Sequence, residues 1–296
     1  MKQLWTKEKE IEFFTKSRVF ATPEKLFYLS DDNRYFAYWP KSYKGAKSTL
    51  QSRNSLIGSF TEKYCVDLLK DFAAEHNWFA VQGVICEEIG LPRASAADVA
   101  FCKTKDIIQK PEDIVIIFEV KMSIVWNWEL KQIDNKEELV CLGDFNSHKG
   151  MPGLIRSDSM LKAIGKSINI RVSDKAAANI PIIVLGNTPI MASYFHKVDF
   201  LKNAGIVQGF WSLNSEPLDN KGKNIRWTDK FGFIRMDSYS ELAEHLDKLI
   251  IEPREYFSSM KSKKELGQII ELANRETDIE KKAERFLALI REWHGE

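Results

Sequence analysis

The sequence predicts an α/β fold in which a mixed central β-sheet is flanked by helices. Three apolar runs, at residues 78–86, 97–102 and 113–122, have the length and composition of strands. A helical pattern precedes them, and another separates the third run from a further apolar run at 180–185. Because a strand that returns through a helix to its neighbour forms a parallel pair, we expect both parallel and antiparallel strands.

The elements follow in a simple order along the chain. Residues 55–76 predict a helix, since apolar residues recur at spacings of mostly two to four and Asn77 suits the C-terminal end. The strand at 113–122 has the strongest signal, because it contains the run Ile-Val-Ile-Ile-Phe, which is typical of a strand buried on both faces. The remaining predictions are a helix over 158–172, a strand over 180–185, a helix over 193–203, a strand over 206–213 and helices from 238 onward.

We expect one domain over residues 1–296 with three regions. Residues 1–53 combine a helix with an irregular aromatic stretch, residues 54–237 form the core, and residues 238–296 form a C-terminal helical region. The last region contains an amphipathic segment at 265–293, which favours either a contact between subunits or packing on its own domain.

Composition excludes several classes of protein. Lys and Arg number 43 against 42 Asp and Glu, so the net charge is +1, and 44% of residues are hydrophobic, which argues against a disordered chain. No apolar run approaches the roughly 18 residues of a membrane span, and no secretory signal is visible. The four cysteines are scattered without metal-site spacing, so we expect reduced thiols and a cytoplasmic location. Without a Walker loop, no nucleotide cofactor is expected.

Three charged residues sit where the predicted strands would bring them together. Asp98 lies in the strand at 97–102, and Glu119 and Lys121 end the strand at 113–122. Residues i and i+2 of a strand point to the same face, so Glu119 and Lys121 should project side by side. Asp98 on the adjacent strand can then place its carboxylate beside Glu119.

Two converging carboxylates repel each other unless a cation lies between them. Mg²⁺ prefers one or two carboxylates together with waters and phosphate oxygens, and Asp98 and Glu119 are the candidate metal ligands. A lysine beside such a site, here Lys121, can hold a water or stabilise negative charge that develops on a phosphate. The pattern therefore favours hydrolysis of a phosphodiester.

The spacing of these residues resembles the PD-(D/E)XK nuclease superfamily. Asp98, followed by Glu119-Val-Lys121, is similar to its motif, and Gly58-x-x-x-Glu62 resembles a helix feature of some members. The resemblance covers about half the chain, and it departs from the motif at Ala97, where the family often has proline. It implies a restriction-endonuclease-like core and Mg²⁺-dependent endonuclease activity, with Glu62 supporting the metal site.

A stand-alone chain of this length with large decorations resembles a type II restriction endonuclease. The resemblance implies cleavage of double-stranded DNA at a specific sequence, a role in a restriction-modification system and a homodimeric enzyme. Two alternatives stay open. One is a structure-specific repair or recombination nuclease, and the other is a non-catalytic DNA-binding or toxin-neutralising protein whose carboxylates are structural.

Basic residues suggest where DNA phosphates would be bound. No acidic residue occurs between Arg34 and Thr61, although a merely solvated face is the alternative interpretation. In the predicted helix at 158–172, two lysines four residues apart share a face. The candidate phosphate contacts are Lys41, Lys44, Lys47, Arg53, Arg156, Lys162 and Lys166.

Residues 127–153 predict a long loop beside the site. Long loops next to an active site are often functional, and this one could enter a DNA groove and read bases. The candidates for base contacts are Asn127, Lys131, Gln132, Asn135 and Arg156, and His148 is a further candidate for a substrate contact.

Overall fold

The computed structural model describes residues 2–45, 50–133, 136–214, 225–251 and 263–292. Contacts divide the chain into two compact units, residues 1–252 and 253–296. The boundary lies inside the predicted C-terminal helical region 238–296, and the single domain over residues 1–296 stays a prediction. All the predicted site residues belong to the first unit.

The bounds of the elements are as follows. The helices of the first unit are α1 (Lys7–Ser17), α2 (Pro23–Leu26), α3 (Gln51–Glu75), α4 (Ser157–Ser173), α5 (Phe195–Asn203) and α6 (Tyr239–Ile251), and those of the second are α7 (Lys263–Ala273) and α8 (Ile279–Glu292). The strands are β1 (Tyr28–Leu29), β2 (Tyr35–Phe36), β3 (Phe79–Val84), β4 (Ala97–Cys102), β5 (Ile114–Val120), β6 (Asn127–Ile133), β7 (Lys136–Gly143), β8 (Ile182–Gly186), β9 (Gly209–Ser212) and β10 (Phe233–Arg235).

A mixed six-stranded sheet forms the centre of the first unit, in the order β10-β9-β8-β5-β4-β3. Strands β3, β4 and β5 are antiparallel, and β5, β8, β9 and β10 are parallel. The predicted α/β class with a mixed central sheet is confirmed. Strand β10 was not predicted.

Helices α3 and α4 cover opposite faces of this sheet. Phe118 of β5 belongs to the apolar cluster that contains Leu68 of α3, whereas the neighbouring Ile117 belongs to the cluster that contains Ile170 of α4. Successive strand residues point to opposite faces, so the two helices sandwich the central strand. Helix α3 ends as predicted, because Asn77 adopts a φ of 59°, a left-handed conformation that asparagine tolerates after a helix.

A second sheet replaces most of the predicted loop at 127–153. Strands β6 and β7 form an antiparallel hairpin, and β2 and then β1 extend it to four strands. The loop prediction was therefore wrong over 127–133 and 136–143. The prediction missed these strands because β6 pairs with β2, which is distant in the sequence, and Tyr35 of β2 lies opposite Leu130 of β6.

A buried carboxyl group fastens helix α1 to the segment that follows β5. Glu10 accepts hydrogen bonds from the backbone N–H groups of Val125 at 2.5 Å and Trp126 at 3.2 Å. It also accepts from the indole N–H groups of Trp5 at 3.1 Å and Trp128 at 2.7 Å. Burial raises the pKa of Glu10 to about 8, against the opposing effect of these four donors. The network fixes how the chain leaves the central strand.

The second unit consists of α7 and α8, which pack on each other through Ile269, Ala273, Leu289 and Ile290. The predicted amphipathic segment 265–293 is thus two helices, and Trp293 lies outside the described residues. A subunit contact through this segment stays a prediction. None of the helices in the described ranges is long and apolar enough to cross a membrane.

Replacing Glu10 by alanine should destabilise the fold strongly. The change leaves four N–H groups unsatisfied in the interior, so we expect the free energy of unfolding to fall by about 3 kcal/mol or more. Glu12→Ala is the control, because Glu12 forms ion pairs with Lys9 and Lys16 at the surface, and its loss should change stability by about 1 kcal/mol or less. Urea denaturation measures both, and equal effects would contradict the role of Glu10.

The raised pKa of Glu10 should also make stability depend on pH. Between about pH 4.5 and 8 the folded state holds a proton that the unfolded chain releases. The contribution of protonated Glu10 to the free energy of unfolding is therefore complete below about pH 4.5 and is lost as the pH rises through about 8. Urea titrations of the wild type at a series of pH values should show this loss of stability. Glu10→Gln should show a weaker dependence of stability on pH. The same pH dependence in Glu10→Gln as in the wild type would contradict the role of Glu10.

Candidate active site

The register of β4 and β5 brings the two predicted carboxylates together. Val99 lies opposite Phe118, so the next position pairs Asp98 with Glu119 on one face of the sheet. The backbone N–H of Val120 donates to Asp98 Oδ2 at 2.7 Å. Asp98 is thereby fixed to the end of the central strand.

Lys121 contacts both carboxylates, as the strand spacing predicts. Its Nζ lies 2.5 Å from Glu119 Oε1 and 3.4 Å from Asp98 Oδ2. The same ammonium group donates to the carbonyl oxygen of Val120 at 3.1 Å. Asp98, Glu119 and Lys121 therefore form one contiguous group.

A second lysine enters this group from helix α4. The Nζ of Lys166 lies 2.7 Å from Glu119 Oε2 and 3.3 Å from Asp98 Oδ1, and it donates to the carbonyl oxygen of Ala96 at 2.7 Å. The sequence predicts that Lys166 contacts DNA phosphates. In the structure its ammonium group instead pairs with Asp98 and Glu119, which corrects this prediction. Lys166 lies on the sheet-facing side of α4, next to the buried Ser167.

The four side chains form a closed arrangement of alternating charge. Each carboxylate contacts Lys121 through one oxygen and Lys166 through the other. The side chain of Glu119 is 6% exposed, and the other three are 16–19% exposed. Charges this far from water are costly unless they are paired, and here two negative and two positive groups offset each other. We name these four residues the charge cluster.

The charge cluster shifts the pKa values of two members. Burial raises the pKa of Glu119, and the negative charge of Asp98 raises it further, while both lysines lower it. Burial lowers the pKa of Lys121, but the charges of Glu119 and Asp98 outweigh burial and the net shift is upward. Lys121 is thus held as an ammonium ion.

Glu62 lies at the edge of the charge cluster. It is half-buried on α3, and its Oε2 accepts a hydrogen bond from Gln82 Nε2 at 2.9 Å. Burial raises its pKa, and the charge of Asp98 adds to that effect. One turn earlier, a side chain at Gly58 would meet nothing within 4 Å, so the space beside this helix is open.

The residues present fit a divalent cation. Glu119 Oε2 is buried and, among the described residues, accepts no hydrogen bond of acceptable geometry, although Lys166 lies near it. The described part of the chain has no cluster of three or more His, Cys, Asp or Glu side chains able to hold a metal. Mg²⁺ needs only one or two carboxylates when waters and a phosphate complete its shell. Asp98 and Glu119 would hold it.

Four of the predicted phosphate contacts are exposed. The side chains of Arg156 and Lys162 are 57% and 71% exposed and pair with Asp158 at 3.5 Å and 3.1 Å. Lys41 and Lys44 are also exposed. Lys47 lies outside the described residues.

Arg53 is a correction to the predicted phosphate contacts. It is 3% exposed, and its guanidinium donates to the carbonyl oxygens of Leu26 and Ala37. The same group lies 5.1 Å from the ring centroids of Tyr28 and Tyr38. Arg53 therefore ties α3 to the aromatic stretch and cannot reach a phosphate from this position.

Two of the predicted base or substrate contacts are also buried. Asn127 Oδ1 accepts from the backbone N–H of Tyr38 at 2.9 Å, and His148 stacks on the Tyr38 ring at 4.0 Å. Burial lowers the pKa of His148 to about 4. Both residues have structural roles, which corrects the sequence prediction.

The other base-contact candidates lie on or near the β6–β7 hairpin. Lys131 is half-exposed and pairs with Glu129 at 3.4 Å, and Gln132 is exposed. Asn135 lies outside the described residues. The structure leaves Lys131, Gln132 and Arg156 as the accessible candidates.

Comparisons with protein-family models, with curated proteins and with solved structures returned no match. The assignment of a function therefore depends on the geometry of the charge cluster and its surroundings.

Replacing Arg53 should affect stability more than DNA binding. Arg53→Met leaves two buried carbonyl groups without their donor, so we expect the free energy of unfolding to fall by about 2 kcal/mol or more. The control, Lys41→Met, removes the same charge from an exposed position and should leave stability within about 0.5 kcal/mol. Equal stability of the two variants in guanidinium denaturation would refute the structural role of Arg53.

Proposed function

We propose that the protein is a Mg²⁺-dependent endonuclease that hydrolyses phosphodiester bonds of double-stranded DNA at a specific sequence. The observation that carries the proposal is the convergence of Asp98, Glu119 and Lys121 at the paired ends of β4 and β5. In this proposal the mixed sheet is a restriction-endonuclease-like core with a PD-(D/E)XK site.

Each member of the site has a distinct chemical task. Asp98 and Glu119 hold the metal, which when bound polarises a phosphate oxygen and lowers the pKa of a water. Lys121 is a protonated donor within reach of the same carboxylates, so it orients the attacking water and stabilises the charge that develops on the phosphate. Glu62 supports the site from helix α3.

Partial exposure favours a reactive site over a purely structural ion-pair network. Asp98, Lys121 and Lys166 keep 16–19% of their side-chain surface exposed, so a substrate can reach them. The open space at Gly58 allows a substrate to approach α3 closely. A complete set of two carboxylates and a lysine also favours catalysis, because a mere binding protein has no need of all three.

DNA is a suitable substrate despite the net charge of +1. The net charge averages over regions of different sign, so the total is a poor guide to the local potential. Arg156 precedes α4, and Lys162 lies one turn before Lys166 of the charge cluster. Both side chains are exposed and suited to bind phosphates flanking the cleaved bond.

A plasmid digestion with MgCl₂ tests the proposed activity. Wild type should give discrete fragments, and Lys121→Met, Asp98→Asn and Glu119→Gln should each reduce the cleavage rate by about 100-fold or more. Lys175→Met removes an exposed charge just after α4 and should cleave like wild type.

The outcomes separate the proposal from its alternatives. Cleavage of flaps or junctions without a fixed sequence would indicate a repair or recombination nuclease. DNA retention in a gel shift without cleavage in Mg²⁺ or Mn²⁺ would indicate a non-catalytic binding protein. Undiminished cutting by Lys121→Met would contradict the assigned role of that lysine.

The salt dependence of DNA binding tests the phosphate contacts. Arg156→Ala and Lys162→Ala should each weaken duplex binding for all sequences and reduce the slope of log affinity against log salt by about 1. The measurement is a fluorescence-anisotropy titration with Glu119→Gln as the background, and Lys175→Ala is the control. An unchanged slope would exclude the residue concerned from the DNA interface.

A further inference from the structure

We propose that Lys166 is an internal counter-ion that occupies the position of the divalent cation and leaves the two carboxylates when the cation binds. The inference rests on the proposed function, because it concerns the same metal site. It assigns to Lys166 a role in metal binding that the motif Asp98, Glu119 and Lys121 does not include.

The four carboxylate oxygens of the charge cluster are held unequally. Asp98 Oδ2 accepts from the Val120 N–H at 2.7 Å, and Glu119 Oε1 accepts from Lys121 at 2.5 Å. Asp98 Oδ1 has a longer contact with Lys166 at 3.3 Å, and Glu119 Oε2 lies 2.7 Å from Lys166 but accepts no hydrogen bond of acceptable geometry among the described residues. The two oxygens next to Lys166 are therefore those most available to a metal.

The ammonium group of Lys166 is surrounded as a cation would be. Three oxygen atoms face it, from the carbonyl of Ala96 and the carboxylates of Asp98 and Glu119, at 2.7, 3.3 and 2.7 Å. Glu119 is 4% exposed, so its Oε2, which lies 2.7 Å from the Lys166 ammonium, is directed into the protein rather than to water. A cation that bridges Asp98 Oδ1 and Glu119 Oε2 would coincide with this ammonium group.

Charge balance requires one lysine to leave. Two ammonium groups already offset two carboxylates, so a divalent cation added to the intact charge cluster would leave an excess of two positive charges at short range. Lys121 directly follows β5, the strand of Glu119, and has the shorter contact with Glu119. Lys166 reaches across from α4 on a flexible four-carbon side chain and can withdraw without disturbing the sheet.

A purely structural Lys166 would behave differently. If it served only to tie α4 to the sheet, its removal would reduce stability and leave metal affinity unchanged. If it occupies the metal position, its removal should reduce the stability of the metal-free protein while increasing its affinity for a divalent cation.

Calorimetric titration with Mn²⁺, without DNA, separates these cases. We expect Lys166→Met to bind Mn²⁺ at least about tenfold more tightly than wild type, because a competing positive charge is gone. Lys121→Met removes the same charge from the same site but should tighten binding less. The control Lys175→Met should match wild type.

Thermal unfolding gives an independent readout. Without metal, Lys166→Met should melt below wild type, since the carboxylates then repel each other, and Mn²⁺ should raise its melting temperature more than that of wild type. If Lys166→Met does not fold, Lys166→Gln takes its place in both measurements.

Two results would overturn the inference. One is unchanged or weaker Mn²⁺ binding by the Lys166 variants, and the other is equal tightening by Lys121→Met, which would show an effect of net charge alone. Neither measurement contains DNA, so failure here is distinct from failure of the proposed nuclease activity, which the plasmid digestion tests by itself.

Discussion

The pairing of Asp98 and Glu119 with two lysines is the interaction on which the organisation of this protein depends. Charged groups at the end of a buried central strand are costly unless each finds an opposite charge. The antiparallel register of β4 and β5 places the carboxylates opposite each other, and α4 supplies the second ammonium group. The structural ion pairs and the proposed chemistry therefore share Asp98, Glu119 and Lys121.

The rest of the first unit positions this group. Helices α3 and α4 cover opposite faces of β5, so one face contributes Glu62 at the edge of the site and the other contributes Lys166. Glu10 holds the chain shortly after Lys121 by accepting hydrogen bonds from the backbone N–H groups of Val125 and Trp126. Rigid surroundings of this kind preorganise catalytic groups, so that little reorganisation is needed during reaction.

Local patterns were sufficient to predict the central part of the fold. The buried run of β5 and the helical spacing of α3 depend on neighbouring residues, so both elements were predicted to within a few residues. Asp98, Glu119 and Lys121 followed from strand periodicity combined with a motif resemblance. Their contact could then be foreseen, whereas distances and pKa shifts required the structure.

Features that depend on distant partners could not be predicted in this way. Lys166 shares helical spacing with Lys162, and the spacing does not reveal that Lys166 reaches the buried Glu119 while Lys162 pairs with Asp158 at the surface. Arg53 lies in an acid-free stretch, but its burial depends on how that stretch folds over α3. Strand β6 likewise required a partner strand some ninety residues earlier.

A crystal soaked in MnCl₂ would show directly whether Asp98 and Glu119 hold a divalent cation. We expect an anomalous peak within coordination distance of Asp98 Oδ1 and Glu119 Oε2, with the Lys166 ammonium withdrawn from both oxygens. A map without a peak at these carboxylates, in which Lys166 still bridges them, would contradict this expectation.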